Sequence, residues 1–402
     1  GPMRRLRAGL DIADARIDAL TTAELIQGCR NGDVAQEKEP EWVDWDSVRR
    51  GQVYWQKNAA RLLYSLTAML LQGFVVGRFS DVLILAGYTS SLHATWSRFA
   101  STATHILHWA TDPLDDPESP SRKSIYRVRC AHAHARRVAQ PKLQAGEGKA
   151  LSQYDLAEVQ LGFSMICLSI VEVEMGTEVS DSDKEDFVHF WRLVGWHLGI
   201  LDEYNACISA AECQDLFVDY MKWTPLRYQH VRDSTHIMQQ ACVEAFGKYS
   251  GSGATWWRGL MVSLQTTRGY DARFLQMQSH PAMVQCARST ISFIGSGVGN
   301  WLISARVLAF QRALRKDPTF LARQEQRQAK TSVVADHVIW PVYIATYTAA
   351  SHLYRGAGAL AMNPIAVAVA FTAAFLYRGM LPRPLNFAVS QAPTASLLRA
   401  SP

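Results

Sequence analysis

The sequence contains no CxxC pair. Its seven cysteines stand singly, at positions 29, 130, 167, 207, 213, 242 and 286. A scattered, odd-numbered set excludes zinc-ribbon and iron–sulfur motifs of familiar spacing and points to a reducing, intracellular compartment. Dense lysine runs are missing too, and the net charge is only +5, which argues against nucleic acid as a partner. Charged residues are 19% of the chain against 48% hydrophobic, a globular balance that excludes a disordered chain. Alternating strand patterns are scarce and there is no internal repeat, so the fold class read here is all-α. No apolar stretch follows the basic start Met3-Arg4-Arg5-Leu6-Arg7, so no secretory signal is read, and Gly1-Pro2 has the look of a scar from an expression tag. The DDxxD pattern of pyrophosphate-binding helical enzymes is also missing: Asp115-Asp116 is followed by Pro117 in a loop.

What is present is a succession of helical patterns. Trp42 to Tyr54 opens a long helical region, with Asp44 or Asp46 as N-cap. Asn58 to Ala86 continues it, with Gly73 and Gly77 as breaks, and Ser90 to Trp109 forms a further helix. A proline-rich acidic loop, Thr111 to Ser121, leads into the next helix. Ser152 to Met175 reads as a buried helix and Asp181 to Asp202 as an amphipathic one. Weaker helical patterns run on to about Ala329. The expected division is a helical arm over 1–40, a core over 41–335, apolar helices over 336–385 and a tail over 386–402. The run Ile365–Leu376 is about a dozen residues, short of the ~20 that span a bilayer. It reads as a core helix first and as an interfacial membrane contact second, its flanking arginines reaching toward headgroups.

The stretch Arg127 to Arg137, RVRCAHAHARR, carries the most chemistry. In a helix, residues three and four apart are neighbours, so Arg129, His132 and Arg136 share a face. Two fixed cations beside an imidazole disfavour its protonation, which leaves a lone pair for a metal. The guanidiniums seek an anion. A haem answers both demands, with iron for the imidazole and propionates for the arginines. A solvated basic face or a phosphate patch answers the second alone. His134 points to a different face of the same helix.

Several segments in order resemble one family: the haem-dependent oxygenases that include latex-clearing protein (rubber oxygenase) and the fungal membrane-bound oxygenase of mycophenolic acid biosynthesis. They are Pro40-Glu41-Trp42-Val43-Asp44-Trp45 with Arg50-Gly51-Gln52; Val128-Arg129-x-x-His132-Ala133-x-x-Arg136; Leu151-Ser152-Gln153-Tyr154-Asp155; and His189-Phe190-Trp191-Arg192-Leu193-Val194-Gly195 with Leu198-Gly199. The resemblance implies a single large helical domain, packed in a globin-like way around a b-type haem, with His132 as the iron ligand. Arg129 and Arg136 would brace the haem or its propionates, and His189 with Arg192 would reach a propionate or cap helix packing. Arg98 and Thr102, four apart on the preceding helix, match the family's distal pair. The chain departs from rubber-cleaving members in having Ser101 where they have lysine. It also offers only Asp81 in the stretch where they carry a distal glutamate. Serine cannot close the sixth coordination position as an amine can, so an open or water-ligated iron is expected.

The function expected is a haem b oxygenase that takes dioxygen and an apolar substrate, cleaving a carbon–carbon double bond in an isoprenoid or lipid. A haem peroxidase or other haem oxidase, and a non-catalytic haem or lipid carrier at a membrane, are the rivals. The expected location is intracellular, with peripheral contact to the endoplasmic reticulum or another membrane. His93, His105, His108, His197 and His337 sit in no supporting pattern and receive no role.

Overall fold

Side-chain caps set where the helices begin. In the computed structural model, which describes residues 39–353 apart from 75–76, 144–148, 229–231, 268–276 and 318, Asp44 accepts from the backbone N–H of Asp46 and of Ser47. That cap opens α1 (Trp45–Lys57), with Asp46 inside the first turn, where the helix dipole favours a carboxylate. Asn58 separates α1 from α2 (Ala59–Gly73), and α3 spans Gly77–Leu85. Ser91 caps α4 (Leu92–Thr111) and Ser119 caps α5 (Pro120–Ala139), whose first residue is the proline that tolerates lacking an N–H there. A capping box of Ser152 with Asp155 opens α6 (Gln153–Val173). Ser180 caps α7 (Asp181–His197). Seven more follow: α8 (Ala210–Tyr228), α9 (Asp233–Ser250), α10 (Ala254–Thr267), α11 (Pro281–Gly295), α12 (Gly297–Lys316), α13 (Phe320–Val334) and α14 (Trp340–Leu353). No strand occurs among the described residues, so the fold is all-α.

The core forms where α1, α4, α6 and α7 bury aromatic side chains together. Trp55, Phe187, Phe190 and Trp191 are sealed from solvent, with Phe163 stacked on Trp191 at 5.2 Å between ring centroids. Burying one such side chain contributes roughly 1.5–3 kcal/mol. α1 lies against α7 at Gly51, where a Cβ would stand 2.4 Å from the carbonyl oxygen of Asp186. Ion pairing locks that contact: Arg50 donates twice to Asp186, both at 2.8 Å, and Ser47 donates to it at 2.7 Å.

α6 is long and apolar enough to cross a membrane, but 72% of its apolar window is buried inside the protein. Gly162–Ile166, in its middle, form a π turn. Near the C-terminus, Ala335–Ile339 form a second π turn that joins α13 to α14 without a break. Asp336 within it accepts from the N–H groups of Ala254 and Thr255, which ties this segment to the start of α10. The boundary drawn at 335 from the sequence therefore falls inside one continuous run. The expectations placed on 1–38, on Ile365–Leu376 and on the tail lie outside the described residues.

Candidate active site

A cavity of about 610 Å³ opens between α2 and α8, and its walls are mainly apolar. Met69 and Phe74 come from α2 and the turn after it, Leu156, Val159 and Phe163 from α6, and Trp191 and Val194 from α7. The π turn contributes Gly162, Phe163 and Ile166, a widening of the kind often found at functional sites.

α5 presents Val128, Ala131, His132 and Ala135 to this space. Among the described residues His132 has no hydrogen-bond partner for its Nδ1, which is sealed from solvent, and the residue lines the cavity. Burial lowers the pKa of His132 to about 3, and the charges of Arg98 and Arg136 push it the same way. The imidazole is neutral across the physiological range.

Arg129 and Arg136 are buried beside it but do not line the cavity. At ~100° per residue both stand roughly 40–60° to one side of His132, while Val128 and Ala135 stand as far to the other. The cavity takes the alanine side. Arg136 instead donates to the carbonyls of Ala150 at 3.1 Å and Leu151 at 2.7 Å, so it fixes the loop before α6. His134 is exposed.

α4 supplies the polar wall: Ser97, Arg98, Ser101, Thr102 and His105 all line the cavity. Arg98 donates to the hydroxyl of Thr102, and that hydroxyl donates back to the Arg98 carbonyl at 2.9 Å. The guanidinium also lies over the Tyr88 ring, 5.4 Å from its centroid. Among the described residues no carboxylate pairs with it, and burial lowers its pKa.

His189 stands elsewhere. Its Nε2 accepts from the backbone N–H of Asp44 at 3.0 Å, and its ring meets Trp42 edge-on, so it braces the N-terminus of α1. Arg192 stacks on the same Trp42 at 3.9 Å. Asp81 pairs with Arg232 and does not line the cavity. His105 carries the opposite surprise. Unassigned from sequence, it lines the cavity, with Nδ1 2.7 Å from the Ser124 hydroxyl oxygen and its ring stacked on Trp109. Burial lowers its pKa to about 4, helped by the charges of His108, Arg98 and Arg127. The signal was there: residues 98, 102, 105 and 109 repeat at helical spacing on one face of α4.

The described helices thus surround an apolar cavity with a neutral histidine on one wall and a guanidinium on another. The chain belongs to the family described as ER-bound oxygenase mpaB/B'/Rubber oxygenase, catalytic domain, whose model matches residues 52–290. It is an oxygenase-family protein. A solved structure of latex-clearing protein in the closed state is similar over 74% of this chain and 79% of that one, at 16% identity and a TM-score of 0.49. No curated protein matches the chain.

Proposed function

We propose that this chain is a haem b-dependent oxygenase, with His132 as the iron ligand, acting on an apolar substrate by oxidative cleavage of a carbon–carbon double bond in an isoprenoid or lipid. The observation that carries the reading is His132 itself: a neutral imidazole on the wall of a large apolar cavity, its Nδ1 without a partner among the described residues. The residues present fit a haem. The volume of about 610 Å³ falls in the ~300–1,000 Å³ range of cofactor and ligand sites. Ala131 and Ala135 leave room beside the imidazole for a flat group. The Arg98 guanidinium, without a carboxylate among the described residues, suits an anionic or oxygen-rich group within the same cavity.

When bound, a haem supplies the redox-active iron that activates dioxygen, chemistry that belongs to the cofactor. The protein's part is to hold, orient and exclude. His132 offers a ring-nitrogen lone pair, because desolvation and the nearby arginines keep the imidazole neutral. Thr102 fixes the Arg98 guanidinium by accepting from it, and so points a positive charge into the cavity. The hydroxyl proton of Thr102 is already given to the Arg98 carbonyl, so Thr102 acts first as a positioning residue. The apolar walls admit an alkene or lipid chain and keep water away from it. Ser101 lines the cavity without an amine to offer the iron.

Spectroscopy of the purified or haem-reconstituted protein tests the assignment. Wild type is expected to show a Soret band, His132→Ala to lose most of it, and the exposed His134→Ala to keep it. Equal retention by the two variants would overturn the ligand, and a wild type that takes up no haem would overturn the cofactor.

A further inference from the structure

His105 is held in one orientation by a chain of two hydrogen bonds. The Trp109 indole N–H, which can only donate, gives its proton to Ser124 Oγ at 3.0 Å. The same oxygen lies 2.7 Å from His105 Nδ1. Ser124 is buried and its side chain makes no other hydrogen bond among the described residues, so among them its hydroxyl proton has one acceptor within reach, the Nδ1 lone pair. The Trp109 N–H, the Ser124 hydroxyl and His105 Nδ1 are all satisfied together only if His105 carries its proton on Nε2. The reverse tautomer, Nδ1–H donating to Ser124, leaves a buried hydroxyl proton with no acceptor, at a cost of about 1–3 kcal/mol. Stacking on Trp109, at 24° between ring planes, fixes the rotation of the imidazole.

The Nε2–H so defined belongs to a residue that lines the cavity, on the same polar wall as Arg98 and Thr102. Arg98 is charged and Thr102 spends its proton on a backbone carbonyl. His105 is thus an uncharged donor on this wall, alongside the hydroxyls of Ser97 and Ser101, and the one whose proton is assigned by its buried neighbours.

We propose that His105, set in its Nε2–H tautomer by Ser124 and Trp109, is a hydrogen-bond donor to an oxygen atom of the group that reacts in the cavity. The assignment rests on the haem oxygenase reading. A neutral donor near the reacting oxygen stabilises charge that develops there without releasing a proton to it, a role distinct from that of the Arg98 cation. Ser124 is then a positioning residue: it touches nothing in the cavity and acts through the tautomer it selects.

Two measurements separate this proposal from the reading beneath it. Nitrogen-15 NMR of histidine-labelled protein without haem, with His105→Phe used for assignment, reports the tautomer directly. An Nε2–H signal is expected, moving toward a tautomer mixture in Ser124→Ala. An Nδ1–H tautomer in wild type overturns the proposal whatever the cofactor. In the haem-loaded ferrous protein, carbon monoxide serves as the probe. Its stretching frequency is expected to rise in His105→Phe, which removes the donor, to rise less in His105→Gln, which keeps an N–H, and to shift in the direction of His105→Phe in Ser124→Ala. A frequency unchanged in His105→Phe, with helicity and thermal midpoint near wild type, overturns the donor role and leaves His105 as packing. Failure of wild type to take up haem overturns the haem reading, and the nitrogen spectrum then decides whether the donor exists.

Discussion

Thr102 shows how little room a single side chain has in this cavity. Its hydroxyl accepts from the Arg98 guanidinium and donates to the Arg98 carbonyl, so both capacities are used within one turn of α4. With its proton given back to the helix carbonyl, the threonine oxygen accepts from, and so fixes, the long side chain four residues earlier. Replacing it with valine keeps the volume and removes the acceptor. The expected outcome for Thr102→Val is a protein that retains haem and its helicity, yet turns substrate over on the order of 10²-fold more slowly, the scale for losing one oriented donor. Arg98→Met, which removes the cation itself, should lose at least as much. Serine at 102 should restore most of the rate, because the hydroxyl returns. Single-turnover dioxygen consumption alongside the Soret absorbance checks this. If Thr102→Val loses its fold, or if serine rescues nothing, the hydroxyl is not what positions Arg98.

Helices were the legible part of this molecule, and the reason is local chemistry. Asp44, Ser91, Ser119, Ser152 and Ser180 each cap a helix through a hydrogen bond that spans two or three residues, a signal that short sequence windows contain. The face carrying Arg129, His132 and Arg136 was legible for the same reason. Which side of that face the cavity occupies was not, because the packing of α4 and α6 against α5 decides it. His189 fell to the same limit: a histidine in a motif gives no sign that its partner is the N–H of Asp44, 145 residues earlier. Close approaches between elements are equally hidden. Gly195 in α7 faces Gln160 in α6, where a Cβ would stand 2.2 Å from the amide nitrogen. That amide donates to the Trp191 carbonyl at 2.8 Å and to Asn205 at 3.0 Å, and its oxygen accepts from Ala206 at 3.0 Å. Gly195→Ala therefore overpacks a buried contact and pushes a fully bonded amide off its partners. A loss of about 1–3 kcal/mol is expected, outweighing the better helix propensity of alanine. Urea unfolding of the variant decides it, and stability at or above wild type would mean that Gln160 swings aside freely.

At the scale of the whole molecule, helices beyond the family-matched region hold the cavity walls from behind. The match ends at residue 290, and every residue lining the cavity lies before 222, yet α12 begins at Gly297. Its inner face carries Asn300 and Ser304, both buried. Asn300 donates to the carbonyl of Lys57, the last residue of α1, at 2.9 Å. Ser304 accepts from the N–H of Ala60, in the first turn of α2, at 3.0 Å, and donates to Asn300 at 3.1 Å. Those two backbone groups are the kind that helix ends leave without partners, and the break at Asn58 creates both at once. One pair of side chains, some 240 residues away in sequence, closes the gap between the helix that packs on α7 and the helix that lines the cavity. Asn300→Ala with Ser304→Ala leaves the buried N–H of Ala60 unsatisfied, a cost of about 1–3 kcal/mol, and strips its partner from the part-buried carbonyl of Lys57. The expected result is a lower urea midpoint in a single transition, with weaker haem retention in proportion, because α2 carries Met69 and Gly73 of the cavity wall. If the double variant unfolded at the wild-type midpoint, α12 would be a passive cover, and the α1–α2 break would have to be stabilised from within the matched region alone.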